Sequence, residues 1–242
     1  ALRESVRARV REILSWQPPK VDLAPEVLER VDCGDYFRER VVYSTTPWFR
    51  VPAYVLVPKK TKGRAPAIVD LHSHGGMFLF GKEKVIDLGD NHPVMTDYHQ
   101  KNYDGRPTAT ELVKRGFVVI SADTFMFGER RVLTDADHKA GWDRTKYAAA
   151  EVQALNAKCR AKESTVVKGL ALAGLTWPGV VTWDDILNSD HEFAPDVSKF
   201  SADAAAPDAR ERQRLETELP HEQRRVGVIE RKQAGDVPPV RF

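Results

Sequence analysis

Apolar positions at Val6, Val10, Ile13 and Leu14 recur at helical spacing in ALRESVRARVREILSW, which predicts a helix at the front of the chain. Gln17-Pro18-Pro19 ends it, because proline cannot continue a helix. APEVLERV, Ala24 to Val31, has the spacing of a second short helix. The period then changes. In RERVVYSTTPWFRVPAYVLVPKK, β-branched and aromatic runs broken at Thr46-Pro47 predict two antiparallel strands, over 39–45 and 49–57. KKTKGR is a polar turn, and APAIVDL is a short apolar run of the kind buried inside a sheet. GRPTATELVKRG predicts a helix stopped by Gly116, and FVVISAD a second buried strand. Residues 143–173 are rich in Ala, Lys and Leu and predict helix. LTWPGVVTWDDIL continues apolar, with Pro178 expected to interrupt it. From Asn188 to Glu222 the chain turns polar, and RRVGVI, 224–229, is a last β-type run.

The order hairpin, βαβ, helix, strand predicts an α/β architecture. The strands at 66–71, 117–122 and 224–229 are expected to lie parallel in one sheet, joined by right-handed crossovers. Four segments follow: a helical 1–32, an α/β core over 33–186, a polar helical or irregular excursion over 187–223, and the last strand with its tail over 224–242. No internal repeat or low-complexity tract is present.

Composition changes this picture little. The 242 residues are 42% hydrophobic and 30% charged, and 37 basic residues against 35 acidic ones leave a net charge of +2. That balance gives no reason to expect a nucleic-acid or membrane partner. Two cysteines, Cys33 and Cys159, build no disulfide framework and fit a reducing, cytoplasmic compartment. No apolar run reaches membrane-spanning length, and residues 1–17 are too charged for a signal peptide. A signal cleaved ahead of Ala1 would leave no trace here.

The chemistry concentrates in DLHSHGG, Asp70 to Gly76. One reading makes Asp70, His72 and His74 metal ligands at a strand end, since side chains two apart point to the same side and imidazoles suit Zn, Fe or Mn. That reading needs further ligands. His92, His99, His138, His191 and His221 all lie in polar stretches, and only Asp123 stands at a strand end. The other reading makes the stretch a backbone oxyanion loop: Gly75 and Gly76 let the main chain approach a ligand closely, and N–H groups over Gly75–Met77 meet negative charge developing on a carbonyl oxygen. In this reading His72 and His74 shape the loop, and Asp123 caps or braces the loop that follows it. Trp177 and Trp183 are expected in the core. Lys82 and Glu83 most simply start a helix, and GER at 128–130 is most simply a turn with a solvated ion pair.

The flanks favour the second reading. FRVPAYVLVPKK, APAIVDLHSHGGMFLFGKEKV, GRPTATELVKRGFVVISADTFMFGER and GLALAGLTWPGVVTWDDI, taken in this order and spacing, resemble the α/β-hydrolase superfamily. They are most similar to carboxylesterases of the dienelactone-hydrolase and acetyl-xylan-esterase type. The resemblance covers roughly 33–186 and departs at Ser73, where the family usually has Gly. It implies a cofactor-free serine esterase acting on a small ester, with His72, His74, Gly75, Gly76 and Met77 as the oxyanion-hole loop.

Such an enzyme needs G-x-S-x-G, whose strained turn lifts the serine above the sheet. The chain contains none. LPHEQRRVGVI resembles the family's approach to that turn, but ERKQAGDVPPVRF follows it, with Lys232 at the serine position. SDHEFAP, Ser189 to Pro195, resembles the family's triad-histidine element but precedes the last strand. No catalytic residue is identifiable. The fold therefore reads as α/β-hydrolase-like and incomplete at its C-terminus, and the activity as impaired or absent. The alternatives are a non-catalytic remnant that binds or self-associates through an exposed sheet edge, and a metal-dependent hydrolase.

Overall fold

The computed structural model describes residues 2–60, 65–134, 137 and 144–185. Among them, five strands form one mixed sheet in the order β1-β2-β3-β5-β4. The strands are β1 (Glu26–Asp32), β2 (Tyr36–Ser44), β3 (Arg50–Pro58), β4 (Ala67–Val69) and β5 (Val118–Ala122). The helices are α1 (Leu2–Leu14), α2 (Pro93–Tyr103), α3 (Thr108–Lys114), α4 (Ala149–Leu172) and α5 (Trp177–Asp185). The predicted hairpin is present: β2 and β3 pair antiparallel from Tyr36↔Pro58 to Ser44↔Arg50. β4 and β5 pair in parallel, as their buried-strand composition predicts, and β5 runs antiparallel to β3. The expected strand at 224–229 lies outside the described residues. No single described helix is long and apolar enough to cross a membrane.

β3 shows why the centre of the sheet is apolar on both sides. Its odd positions, Val51, Ala53, Val55 and Val57, join Val41, Val118 and Ile120 in one cluster. Its even positions Tyr54 and Leu56 join Val119, Ile86 and the α3 residues Ala109 and Val113 in another. A period of two with both faces buried is the signature of an interior strand.

Three local expectations fail, each for a physical reason. Ala24–Val31 is not a second helix, since Glu26–Asp32 form β1, so the sheet starts ahead of residue 33. Cross-strand partners override the local spacing: β1 pairs antiparallel with β2, Arg30 lies over the Phe37 ring at 4.0 Å, and Arg50 reaches Glu26 at 3.2 Å. Pro178 does not interrupt the apolar run, because it falls in the first turn of α5, where its missing N–H is an orphan anyway. Helix α2 carries no strong apolar stripe and was not foreseen. Pro93 at its start and the His92 side chain, which accepts from the Val94 N–H, fix its beginning.

α1 forms where its spacing predicts, yet Val6, Val10 and Ile13 remain exposed. It meets the rest of the molecule at its end, where Thr176 Oγ1 donates to Leu14 O and a Cβ on Gly179 would fall on that same carbonyl.

Leu56 is fully buried at the centre of β3. Leu56→Ala should cost about 2–5 kcal/mol, read from the urea midpoint at unchanged slope.

Candidate active-site loop

β4 ends at Val69, and the chain leaves the sheet as DLHSHGG. The Asp70 N–H still bonds Ile120 O at 2.9 Å, while its carboxylate turns aside to accept from the Thr108 hydroxyl at 2.6 Å. His72 is buried, with both ring nitrogens in use: Nδ1 donates to Ser73 O and Nε2 accepts from the Thr124 N–H, each at 3.1 Å. Those partners assign the neutral Nδ1–H tautomer. Burial, with the nearby Lys84 cation, pushes this imidazole down to about 4.

His74 is exposed and differently employed. Its Nδ1 accepts from the Gly76 N–H at 3.1 Å, and Nε2 meets Glu163 of α4 at 2.7 Å. Gly75 and Gly76 both take positive φ, +52° and +67°, conformations that favour glycine. Both also lack room for a Cβ: at Gly75 it would strike the Tyr98 hydroxyl, and at Gly76 the Arg160 guanidinium. Tyr98 OH also bonds Ser73 Oγ at 2.9 Å, a role that the Gly usual in the resembled family cannot fill.

Loop direction depends on carbonyls. Lys84 is fully buried, and its Nζ donates to Ser73 O at 2.8 Å and to His74 O at 3.1 Å while lying 4.2 Å over the Phe127 ring. Every peptide here is trans, so the N–H of His74 and that of Gly75 lie on the plane edges opposite those two oxygens. Neither N–H has a hydrogen-bond partner among the described residues. Of the Gly75–Met77 donors expected from sequence, Gly75 is open among the described residues and the other two are engaged. The Gly76 N–H is spent on His74 Nδ1, the Met77 N–H closes a turn onto His74 O at 3.4 Å, and the next two, of Phe78 and Leu79, both bond Asn156 Oδ1.

Beneath the loop lies a buried ionic cluster. Lys82 Nζ reaches Asp123 at 2.7 Å, Glu129 at 2.8 Å and Glu83 at 3.2 Å, and Arg40 reaches Glu129 at 2.7 Å. Asp123 also accepts from the backbone N–H of Lys82 and of Glu129, so it braces the loop that follows it, as expected, and the turn at Lys82 as well. A Cβ on Gly81 or Gly128 would overlap its carboxylate. Two sequence expectations fall here. Lys82–Lys84 form a buried 3₁₀ turn rather than a helix start, and GER is not a solvated turn: Glu129 belongs to the cluster, and Arg130 makes a buried pair with Asp184 at 2.6 Å. Trp183 is core as expected, its Nε1 donating to Thr45 O, and Trp177 packs at the core margin against Phe125.

The metal reading finds no ligand set among the described residues. No group of three or more His, Cys, Asp or Glu side chains there could hold an ion. Both His72 nitrogens are committed, His92 caps α2, and His99 Nε2 bonds Glu83 O. His138, His191, His221 and Lys232 lie outside the described residues. Sequence reasoning missed Lys84, Tyr98, Asn156 and Glu163. Lys84 alone left a trace: a charged triplet, KEK, enclosed by the apolar FLF and VI.

No protein-family model matches the chain. It is 28% identical over 132 residues to "Putative hydrolase YtaP" of Bacillus subtilis (strain 168), a stretch covering 54% of this chain and 40% of that protein. A crystal structure of a "putative acetyl xylan esterase" from Bacteroides fragilis NCTC 9343 superposes with a TM-score of 0.50 at 20% identity, over 77% of this chain and 40% of that one. The chain thus spans about two fifths of the length of each. The structural likeness shows the α/β fold, and the sequence likeness is to a protein described as a putative hydrolase.

Two outcomes follow. Asp123→Asn removes one charge from the cluster while Lys82 keeps Glu83 and Glu129, so it should destabilise the fold by about 3 kcal/mol in chemical denaturation. For His72, the unfolded chain takes up a proton before the folded one. Its contribution is therefore complete above about pH 6.5 and drains as pH falls towards 4, by up to about 3 kcal/mol. An NMR titration of the His72 ring should show no midpoint above pH 5.

Proposed function

We propose that the chain carries the oxyanion side of an ester hydrolase of the α/β-hydrolase type, acting on a small acyl ester. The observation that carries this reading is the pair of N–H groups at His74 and Gly75 that have no partner among the described residues, on a loop at the end of a parallel strand and held by a buried framework. Preorganised backbone donors of this kind stabilise charge as it develops, without reorganising at the moment of reaction. In the reaction, a serine hydroxyl attacks the ester carbonyl, a histidine takes its proton and returns it to the leaving alcohol, and the loop holds the oxyanion. His72 is not that histidine, since both its nitrogens are bound within the loop region and it stays neutral. The likeness to proteins described as a hydrolase and an acetyl xylan esterase supports the reaction class and suggests an acetyl ester.

A second reading, association through strand addition, rests on β4. It has three residues, pairs with β5 on one side, and has no strand on the other among the described residues. An open edge of this kind accepts a strand.

These 242 residues contain no G-x-S-x-G, so the chain by itself should hydrolyse p-nitrophenyl acetate no faster than a heat-denatured control and should not react with a fluorophosphonate. Saturable turnover abolished by Lys232→Ala or by replacing any one serine would place a nucleophile inside it. The loop's role is tested separately with dimethylphosphinate, a tetrahedral monoanion that stands in for the oxyanion. It should move the His74 and Gly75 amide protons downfield and saturably. Shifts confined to other residues would overturn the oxyanion assignment. A concentration-dependent dimer without such shifts would favour the second reading.

A further inference from the structure

We propose that Lys84 is a positioning residue for this loop: its ammonium, bonded to Ser73 O and His74 O, sets the two peptide planes so that the His74 and Gly75 N–H edges face outward as polarised donors. The inference rests on the ester-hydrolase reading and assigns the loop a source of charge that sequence resemblance does not supply.

Three observations carry it. First, an ammonium is costly to bury, and Lys84 is fully buried. Lys84 forms no ion pair among the described residues. Its polar contacts are the two loop carbonyls, and its third neighbour is the face of Phe127. The adjacent carboxylates are engaged elsewhere, Asp123 and Glu83 with Lys82. A lysine serving only the ionic cluster would point into it, as Lys82 does. Second, the two carbonyls belong to consecutive peptides, and the trans geometry couples each oxygen to the N–H of the next residue. Holding both oxygens fixes both donors. Third, a hydrogen bond from a cation to a peptide oxygen withdraws electron density from that peptide. Its N–H therefore donates more strongly, the cooperative effect that chains of hydrogen bonds show in a low dielectric.

The titratable groups around Lys84 point the same way. Asp123 and Glu83 favour its charged form, while burial opposes it and brings the ammonium down to about 7. His72 is kept neutral in part by the Lys84 cation. Tyr98 holds the Ser73 side chain, His99 holds Glu83 O, and the His74 ring turns away to Glu163, so none of these bonds the ammonium. An anion received by the outward N–H groups stabilises the charge behind the peptides, and the charge stabilises the anion.

The test is an amide NMR titration of the ¹⁵N-labelled chain with dimethylphosphinate, comparing wild type, Lys84→Arg and Lys84→Gln, with the thermal midpoint of each as a check on folding. Lys84→Arg keeps the charge and Lys84→Gln keeps only a neutral donor. The expected result is affinity within about threefold of wild type for the arginine variant. The glutamine variant should bind at least tenfold more weakly, with its free His74 and Gly75 amide protons shifted upfield. Should either variant fail to fold, the wild type supplies the test alone: the affinity should fall with rising pH, with the same midpoint as the Lys84 Cε signal. Binding to His74 and Gly75 that ignores both the Lys84 substitution and its titration would overturn the positioning role and leave the ester-hydrolase reading standing. No binding at these amides, with their free shifts still following Lys84, would overturn the hydrolase reading and uphold the control of the loop by Lys84.

Discussion

The ammonium of Lys82, buried at the end of β5 among Asp123, Glu83 and Glu129, is the contact on which the rest of the site depends. An isolated charge in that place would cost several kcal/mol, and attraction to one partner seldom offsets it. Here three carboxylates share the space with Lys82, Lys84 and Arg40, so the region as a whole is close to neutral. Backbone N–H groups satisfy the remaining lone pairs: Lys82 and Glu129 donate to Asp123, and Gly81 donates to Glu83. The loop after β5 and the turn at 82–84 are therefore fixed to one another by contacts that do not involve the DLHSHGG loop.

The two lysines of that turn divide the work. Lys82 points into the cluster and Lys84 towards the loop, with the Glu83 carbonyl between them accepting from His99 Nε2. A turn of three charged residues, all buried, is an expensive element to keep. It persists because each side chain has a distinct set of partners, which is how buried polar groups specify one arrangement rather than many. Asp123 can approach so closely because Gly81 and Gly128 offer no Cβ, so the cluster's geometry is written as much in its glycines as in its charges.

Much of the sheet was legible in the sequence. Runs such as VPAYVLVP and FVVISA are apolar at both parities, and burial on both faces demands that. β1 was not legible, because its ends and register come from partners on β2 and β3: Arg30 needs Phe37 and Glu39, and Glu26 needs Arg50. Helix α2 was missed since its apolar stripe is weak, although Pro93 marked its start. At the site, DLHSHGG could be singled out from its glycines and its place after a strand, yet its donors could not. Which N–H groups remain open depends on where Ser73 O and His74 O point, and that is decided by a lysine ten residues on. GER was read as solvated for the same reason, as nothing local reveals Lys82 or Asp184.

The loop also inherits its shape from α4. Asn156 accepts from Phe78 and Leu79, Arg160 lies against Gly76, and Glu163 holds His74. These three residues are spaced four and then three along the helix, one side of it and nearly two turns long. Each step along an α-helix turns a side chain by about 100°. Insertion or loss of a single residue within α4 ahead of Asn156 would swing all three contacts off the loop together. The helix behaves as a ruler whose phase must be kept. Changes of length in this fold should accordingly spare the stretch from 156 to 163.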